Sequence, residues 1–239
     1  MPAAVRRAKG SATPLVVEQV RIAGGPFRLE GELVYPENAA VEGVAVIAGP
    51  HPFLGGNMAN NVVRALGDGL AGDNLLTLRF NYRGVGGSEG PAVDVAQNMT
   101  SFWHTGHAPA EMELRHDLEA AVRFARGIAG EKLPLVLIGY SFGCALLPFV
   151  EAASCTPQVL IAPTLGKHDY DQFQTAERPI LVIASNNDFA VEQATLRAWF
   201  TRLGSEKQLI VKRLDNHFFR GHEAWVVEMV LRFISQRWR

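Results

Sequence analysis

Apolar and polar residues alternate along two segments near the start of the chain, and largely apolar runs follow them. The alternating segments, about Val16 to Ile22 and Phe27 to Tyr35, are linked through residues 24–26 and predict an antiparallel hairpin. Short, continuous apolar runs are typical of parallel strands that are buried on both faces. Six such runs cover residues 44–48, 75–80, 135–138, 159–161, 180–183 and 208–211. The pattern therefore predicts eight strands.

Helical periodicity fills most of the intervals between these runs. The predicted helices are Asn57 to Gly72, Glu111 to Arg126, Phe142 to Ala153, Val191 to Leu203 and Glu223 to Trp238. Alternating strands and helices predict an α/β fold, with a mostly parallel eight-stranded sheet and helices on both of its faces. In such a fold the ligand crevice lies beyond the carboxyl ends of the strands, so chemistry is expected directly after strands.

Two segments fall outside this alternation. Residues 1–14 carry basic side chains but lack the apolar stretch of a secretory signal, and we expect a disordered leader there. Residues 90–110 show no clear periodicity yet hold Phe102 and Trp103, which favours a small lid folded over the crevice. The alternative is a surface loop whose two aromatic side chains dock on the globule. The rest of the 239-residue chain, 15–239, is expected to form a single domain.

Charge and cysteine content narrow the classes of partner. The formal net charge is −1, so no electrostatic field attracts nucleic acid or an anionic membrane, and the expected partner is a small-molecule substrate. Monomer and homodimer both remain open. Residues 133–150 are uncharged, but glycines and Pro148 interrupt them, which argues against a membrane span. Cys144 and Cys155 form no disulfide framework, and the default compartment is the cytoplasm.

The segment Gly139-Tyr140-Ser141-Phe142-Gly143 joins a predicted buried strand to a predicted helix. G-x-S-x-G in that setting is the nucleophile elbow, a turn so sharp that glycines must flank the serine. The turn lifts the Ser141 hydroxyl above the sheet edge and aims helix-start N–H groups at an oxyanion. The alternative is a glycine-rich turn whose serine caps the helix.

A serine needs a base, and an imidazole oriented by a carboxylate serves best. Asp188 follows the predicted strand 180–183, and His217 follows the predicted strand 208–211, giving the chain order Ser, Asp, His of this architecture. Alternatively, His217 is a loop histidine that only hydrogen-bonds locally, and Asp188 only forms a turn. His222 is the next candidate base, and the other candidate acids are Asp169, Asp171 and Asp215. Because His217 must be neutral to act, activity is predicted to rise from acid toward mild alkali.

Two backbone N–H groups must face the developing oxyanion. Phe142 follows the nucleophile and supplies the first. The second is expected from the loop 49–56, where prolines have no N–H to give, so we assign it to Phe53, with Leu54 as the alternative. His51 stands between two prolines and is predicted to be a rigid support for that loop.

Two patterns imitate cofactor sites. The glycine-rich stretch 84–90 follows a strand, but Glu89 occupies the third glycine position of a dinucleotide fingerprint, so no nucleotide cofactor is expected. His104, His107 and His116 lack the spacing of a zinc motif, and no metal is expected.

Taken together, these motifs resemble the α/β-hydrolase superfamily from about residue 15 to the end of the chain. The greatest similarity is to small bacterial hydrolases that carry His-Pro-x-x-Gly-Gly-x-Met and Asn-Tyr-Arg-Gly-Val-Gly-x-Ser, here at 51–58 and 81–88, and a histidine loop similar to 215–219. The resemblance implies the α/β-hydrolase fold and a serine hydrolase, with the cap reduced to about Thr164 to Arg178. A largely apolar substrate pocket would include, besides Phe53 and Phe142, the residues Leu54, Tyr140, Leu165, Phe189, Phe218 and Trp103.

The leading expectation is therefore a carboxylesterase that forms an acyl-enzyme on Ser141. An amidase or peptidase-like enzyme, or a thioesterase, on the same three residues is the alternative within enzymes. A ligand-binding homologue without catalysis is the alternative outside them; the three filled positions disfavour it.

Overall fold

One mostly parallel sheet runs through the protein. The computed structural model describes residues 4–7, 14–23 and 25–238. Within these ranges the strands are β1 (Ala4–Arg7), β2 (Pro14–Ile22), β3 (Leu29–Pro36), β4 (Gly43–Ala48), β5 (Leu75–Phe80), β6 (Leu135–Tyr140), β7 (Gln158–Ile161), β8 (Ile180–Ser185) and β9 (Lys207–Lys212). Their order across the sheet is β1-β2-β3-β5-β4-β6-β7-β8-β9. This confirms the predicted eight strands, and the short β1 pairs beside them at one edge.

Pairing changes direction once across the sheet. The strands β1, β2, β3 and β5 pair antiparallel, and every pair from β5 through β4 to β9 is parallel. The predicted opening hairpin is therefore present as β2 and β3. Residues 4–7 of the predicted leader are not disordered but form β1, because they pair with β2, which itself begins at Pro14. Residues 1–3 and 8–13 of that leader, and Gly24 in the hairpin link, lie outside the described residues.

Helices cover both faces of the sheet, as predicted. They are α1 (Asn61–Ala71), α2 (Val95–Thr105), α3 (Arg115–Ala129), α4 (Gly143–Leu146), α5 (Gln193–Arg202) and α6 (Glu223–Ser235). Buried side chains of α1 and α6 form the core on one face, and those of α3, α4 and α5 form the core on the other. Because both faces are covered, the central strands are apolar on both sides, which is the pattern read from the sequence.

Each of the five predicted helices differs from the observed helix at one end or both. The helix predicted to run from Phe142 to Ala153 is too long: α4 ends at Leu146 and a 3₁₀ turn, Leu147–Phe149, follows. Pro148 lacks an N–H and cannot continue the ladder. The first helix begins at Asn61 rather than Asn57, because Asn60 caps it by accepting hydrogen bonds from Val62 N (2.9 Å) and Val63 N (3.4 Å).

The connections at the carboxyl edge of the sheet are short, apart from the segment that holds α2. After β7, residues 164–178 form only a 3₁₀ turn, Asp171–Gln174, which confirms the predicted minimal cap. In the part of the chain that the structure describes, no helix combines the length and the apolar character needed to cross a bilayer.

Candidate active site

Ser141 lies at the turn between β6 and α4. Its φ of +56° is left-handed, a conformation that non-glycine residues adopt rarely and at some cost. The Ser141 N–H donates to Ile161 O at 2.8 Å, which anchors the turn to β7. A Cβ at Gly139 would come within 2.5 Å of Cys144 Cα, and one at Gly143 would meet Gly49 O at 2.8 Å. The turn therefore has the strained, glycine-flanked form of a nucleophile elbow.

Hydrogen bonds connect Ser141, His217 and Asp188 in series. Ser141 Oγ lies 2.9 Å from His217 Nε2, and His217 Nδ1 lies 2.8 and 2.9 Å from the two Asp188 carboxylate oxygens. Asp188 follows β8 and His217 follows β9, so the parallel strands bring three distant residues to one sheet edge. The Asp188 side chain is fully buried and that of His217 is 4% exposed. Such an arrangement can deprotonate a hydroxyl and stabilise the imidazolium that results.

The loop 49–56 lies beside the elbow. Gly143 N–H donates to Gly49 O at 3.1 Å, which connects the loop to the start of α4. Within the loop Phe53 N–H donates to His51 Nδ1 at 3.3 Å, and Leu54 N–H donates to His51 O at 3.2 Å. Both amides assigned from the sequence as second oxyanion donors therefore have partners provided by His51.

No protein-family model matches the chain. An uncharacterized protein of Rickettsia prowazekii is 24% identical over 214 residues, which are 84% of this chain and 82% of that protein. The structure of an α/β serine hydrolase homologue from Coxiella burnetii is 26% identical, with a TM-score of 0.71, and covers 90% of this chain and 96% of its own. The chain has the α/β-hydrolase fold.

Two more solved structures share this fold at lower identity. A serine hydrolase without a lid from Xanthomonas campestris is 22% identical, with a TM-score of 0.75 and 97% of each chain covered. An esterase from Pyrococcus furiosus is 14% identical, with a TM-score of 0.70 and 93% of each chain covered. The similarity of fold therefore extends over almost the whole chain.

Two aromatic side chains flank the imidazole of His217. The Phe189 ring lies 4.6 Å from the His217 ring and the Phe218 ring lies 5.5 Å from it, centroid to centroid. Phe189 is 76% exposed and Phe218 is 40% exposed. They are large apolar surfaces beside the candidate base, as the predicted substrate pocket requires.

The other predicted pocket residues occupy different positions. Tyr140 is fully buried, and its hydroxyl donates to the carbonyl oxygen of His217 at 3.3 Å, so it supports the histidine loop from below. Leu54 is half-buried in the loop 49–56, and Leu165 lines a cleft with Trp199. Trp103 is 78% exposed on α2.

The alternative acids and the alternative base have other partners. Asp215 accepts from Asn187 Nδ2 at 3.3 Å, and Asp169 accepts from Asp171 N at 2.8 Å. His222 precedes α6 as its N-cap residue. The Cys144 thiol beneath the elbow donates to Gly139 O at 3.1 Å, and burial raises the pKa of that thiol, which favours the inert form.

A buried carboxylate near the elbow was not predicted from the sequence. Glu111 starts a 3₁₀ turn, Glu111–Leu114, and is 4% exposed. One oxygen accepts from His51 Nε2 (2.9 Å) and Ala108 N (2.8 Å), and the other lies 2.9 Å from His107 Nδ1 and 3.3 Å from His168 Nε2. Burial alone would raise the pKa of Glu111, but the hydrogen bonds from His168, His51, Ala108 and His107 together hold it well below its usual range. Glu111 is therefore an anion surrounded by N–H donors.

Part of this network could also hold a metal ion. Among the described residues, one ligand atom each of His51, Glu111 and His168 lie within 4.8 Å of one another. His51 Nε2, Ala108 N and His107 Nδ1 hydrogen-bond the two oxygens of Glu111, whereas His168 Nε2, 3.3 Å from one of them, has no hydrogen-bond partner among the described residues. Hydrogen bonding accounts for the positions of His51 and Glu111 as they stand.

Sequence reasoning missed Glu111 because its role depends on contacts across separate segments. The carboxylate joins the loop 49–56, residues 107–108 and the segment after β7, and no local motif marks it. One signal was available: three histidines and an acid stand near loops that the topology brings to the carboxyl edge of the sheet.

Proposed function

We propose that this protein is a serine hydrolase that cleaves carboxylic esters with a largely apolar acyl group. The observation that carries the proposal is the continuous hydrogen-bond series from Ser141 Oγ through His217 to Asp188. Hydrolases and an esterase among the structures of the same fold support it. The exposed rings of Phe189 and Phe218 beside His217 favour an apolar acyl group.

The proposed reaction has two halves. Ser141 Oγ attacks the ester carbonyl carbon while His217 Nε2 takes the hydroxyl proton, and the carbonyl oxygen becomes an oxyanion faced by Phe142 and Phe53 N–H. Collapse breaks the bond to the alcohol oxygen, which leaves with the proton from His217. Water then repeats the sequence on the acyl-enzyme: His217 takes a water proton, the acid is released and the proton returns to Ser141. Asp188 stays ionised and keeps the His217 Nδ1 hydrogen directed toward itself.

Several expectations from the sequence belong to the same proposal. The substrate is a small molecule, residues 90–110 act as a lid over a single domain, and the protein works in the cytoplasm without nucleic acid, membrane or cofactor. Each is compatible with the site described above. None is needed for the chemistry of Ser141.

A fluorophosphonate probe tests the nucleophile. The wild-type protein should be labelled and should hydrolyse p-nitrophenyl esters, and Ser141→Ala should lose labelling and at least about a thousandfold in kcat, since covalent catalysis is lost. Ser154→Ala is the matched control, because Ser154 is exposed in the turn that leads into β7. Equal labelling of wild type and Ser141→Ala, or of neither, would refute the assignment.

Substrate panels then define the bond that is cleaved. p-Nitrophenyl esters of graded acyl length report how much apolar surface the site offers. Matched anilides and thioesters, assayed under the same conditions, separate an esterase from an amidase or a thioesterase. Turnover of anilides at rates equal to the esters would contradict the ester assignment.

A further inference from the structure

We propose that Glu111 is a positioning residue that holds the oxyanion loop in its working geometry through His51. The inference rests on the proposed function and adds a residue to it. The loop is defined as residues 49–56. Glu111 lies on a different segment, 60 residues from His51 in the chain.

The first step is the contact between Glu111 and His51. The His51 Nε2 atom lies 2.9 Å from a Glu111 oxygen, and both side chains are almost fully buried. An ionised carboxylate can only accept, so Nε2 must carry the hydrogen of the neutral ring. Burial lowers the pKa of His51, which keeps the ring in this neutral form despite the opposing hydrogen bond from Glu111. Glu111 therefore fixes the tautomer of His51.

The second step leads from His51 to the oxyanion donors. With its hydrogen on Nε2, the ring has a lone pair on Nδ1, and that lone pair receives Phe53 N–H at 3.3 Å. The same ring stacks on Phe142, with centroids 4.3 Å apart and planes inclined by 30°. His51 thus contacts both residues whose amides are assigned to the oxyanion. The Phe53 N–H must leave His51 Nδ1 to face an oxyanion, and a hydrogen bond of this length is weak enough to yield to a developing negative charge.

The third step is the rigidity of Glu111 itself. Ala108 N and His107 Nδ1 hydrogen-bond its carboxylate, and His168 Nε2, from the segment after β7, lies 3.3 Å from it. His168 is held in turn by Thr164 Oγ1, 2.8 Å from His168 Nδ1. A carboxylate anchored from three directions is a fixed reference point for the loop, and preorganised donors are what oxyanion stabilisation requires.

Glu111→Ala tests the proposal. We expect kcat for a p-nitrophenyl ester to fall about tenfold to a hundredfold with KM changed less than about threefold, because a misplaced donor weakens the transition state alone. A trifluoromethyl ketone, which forms an oxyanion on the serine, should bind weaker by a similar factor. Glu113→Ala is the matched control: Glu113 is exposed on the same turn, and its carboxylate contacts only Arg115 and His116 among the described residues.

Conservative variants separate hydrogen bonding from other roles. Glu111→Gln should recover most of kcat, because the amide oxygen can face Ala108 N–H and still accept from His51. Glu111→Asp keeps the charge but withdraws it by about one bond length, ~1.5 Å, and should remain impaired. Glu111→Asp also supplies the test if Glu111→Ala fails to fold, as judged by its melting temperature.

A double-mutant cycle tests the route through His51. His51→Ala should lower kcat by about the same factor as Glu111→Ala, and the double variant should be no worse than either single one. The proposal would be overturned if the kcat losses of the two single variants multiplied in the double variant, or if Glu111→Ala kept the wild-type kcat. It would also be overturned if Zn²⁺ stimulated the wild-type enzyme and Glu111→Gln abolished that stimulation. These failures are distinct from failure of the proposed function, in which Ser141→Ala would remain labelled or the wild type would be inactive.

Discussion

At the scale of single residues, a strained serine stands within a set of ordinary hydrogen bonds. The left-handed backbone of Ser141 costs on the order of 1–3 kcal/mol. Its neighbours offset this cost, because Ser141 N–H pairs with β7 and Gly143 N–H pairs with the loop 49–56. The strain places Oγ where His217 Nε2 can reach it.

Asp188→Asn tests whether the carboxylate orients the imidazole. The amide leaves the shape of the site intact but no longer fixes the His217 tautomer, so we expect kcat to fall by on the order of 10³–10⁴. Steady-state kinetics on a p-nitrophenyl ester measures the loss. Asp215→Asn is the control, because Asp215 contacts Asn187 in the same region, and it should retain activity within about twofold. Comparable losses in both variants would contradict the assignment of Asp188.

The residues that could be predicted from the sequence are those with a position in a motif. Ser141 follows a strand in G-x-S-x-G, and Asp188 and His217 follow later strands in the chain order of this fold. The sequence alone therefore predicts that the three side chains lie close together. Glu111 has no such position, and the partnership of Phe53 N–H with His51 depends on a ring tautomer that a neighbouring segment sets. Contacts of that kind arise only once the loops are folded together.

At the scale of elements, the strands were easier to predict than the helices. Burial on both faces makes each central strand a continuous apolar run, whereas α2 has no buried residue among those described and so shows no apolar stripe. Its ends are set locally: Asp94 caps the start by accepting from Gln97 N at 2.9 Å, and Gly106 ends the helix at a φ of +79°. The pattern of apolar residues in the sequence therefore does not predict this helix.

The position of α2 agrees with a role near the oxyanion loop. Phe102 on α2 meets the His51 ring edge-on, with centroids 6.3 Å apart, and its own ring lies under Lys167 Nζ at 5.6 Å. Trp103, the next residue, projects into solvent. An exposed indole beside a crevice can cover an apolar ligand.

Trp103→Ala tests the predicted lid. If α2 closes over bound substrate, KM for long-chain p-nitrophenyl esters should rise about threefold to tenfold, which corresponds to ~1 kcal/mol of lost apolar burial, and KM for the acetate should not change. Ile128→Ala is the control, since Ile128 is half exposed at the end of α3 that leads into the amino end of β6, away from the carboxyl edge of the sheet. An equal change for short and long esters, or none, would argue against a lid.

At the scale of the whole molecule, the mostly parallel sheet has a hydrophobic core on each of its two faces. Helices on both faces bury the strands, and the polar groups that do chemistry gather at the carboxyl edge, where loops leave the sheet. Glu111 and the histidines that contact it are polar groups in a largely apolar interior. They make the free energy of unfolding depend on pH.

Unfolding measurements at several pH values test this connection. The pKa of Glu111 is lower in the folded protein than its ordinary 4.5, so its contribution is present above about pH 4.5 and is lost as the pH falls below that value. His51, whose folded pKa lies below its ordinary 6.5, also favours unfolding on acidification, and His107 and His168 face the same carboxylate. Urea denaturation should show that wild type exceeds Glu111→Gln in free energy of unfolding at pH 7, and that the difference shrinks below pH 4.5. A difference that stays constant would contradict the connection.

The last strand of the sheet also bears on self-association. β9 ends the strand order and carries Lys207 and Lys212 at its two ends. A second copy that extended the sheet by antiparallel pairing along β9 would place Lys207 of each copy opposite Lys212 of the other, and like charges directly opposite each other destabilise a strand pair. Growth of the sheet across this edge is therefore disfavoured, and a twofold assembly of this protein would have to use another face.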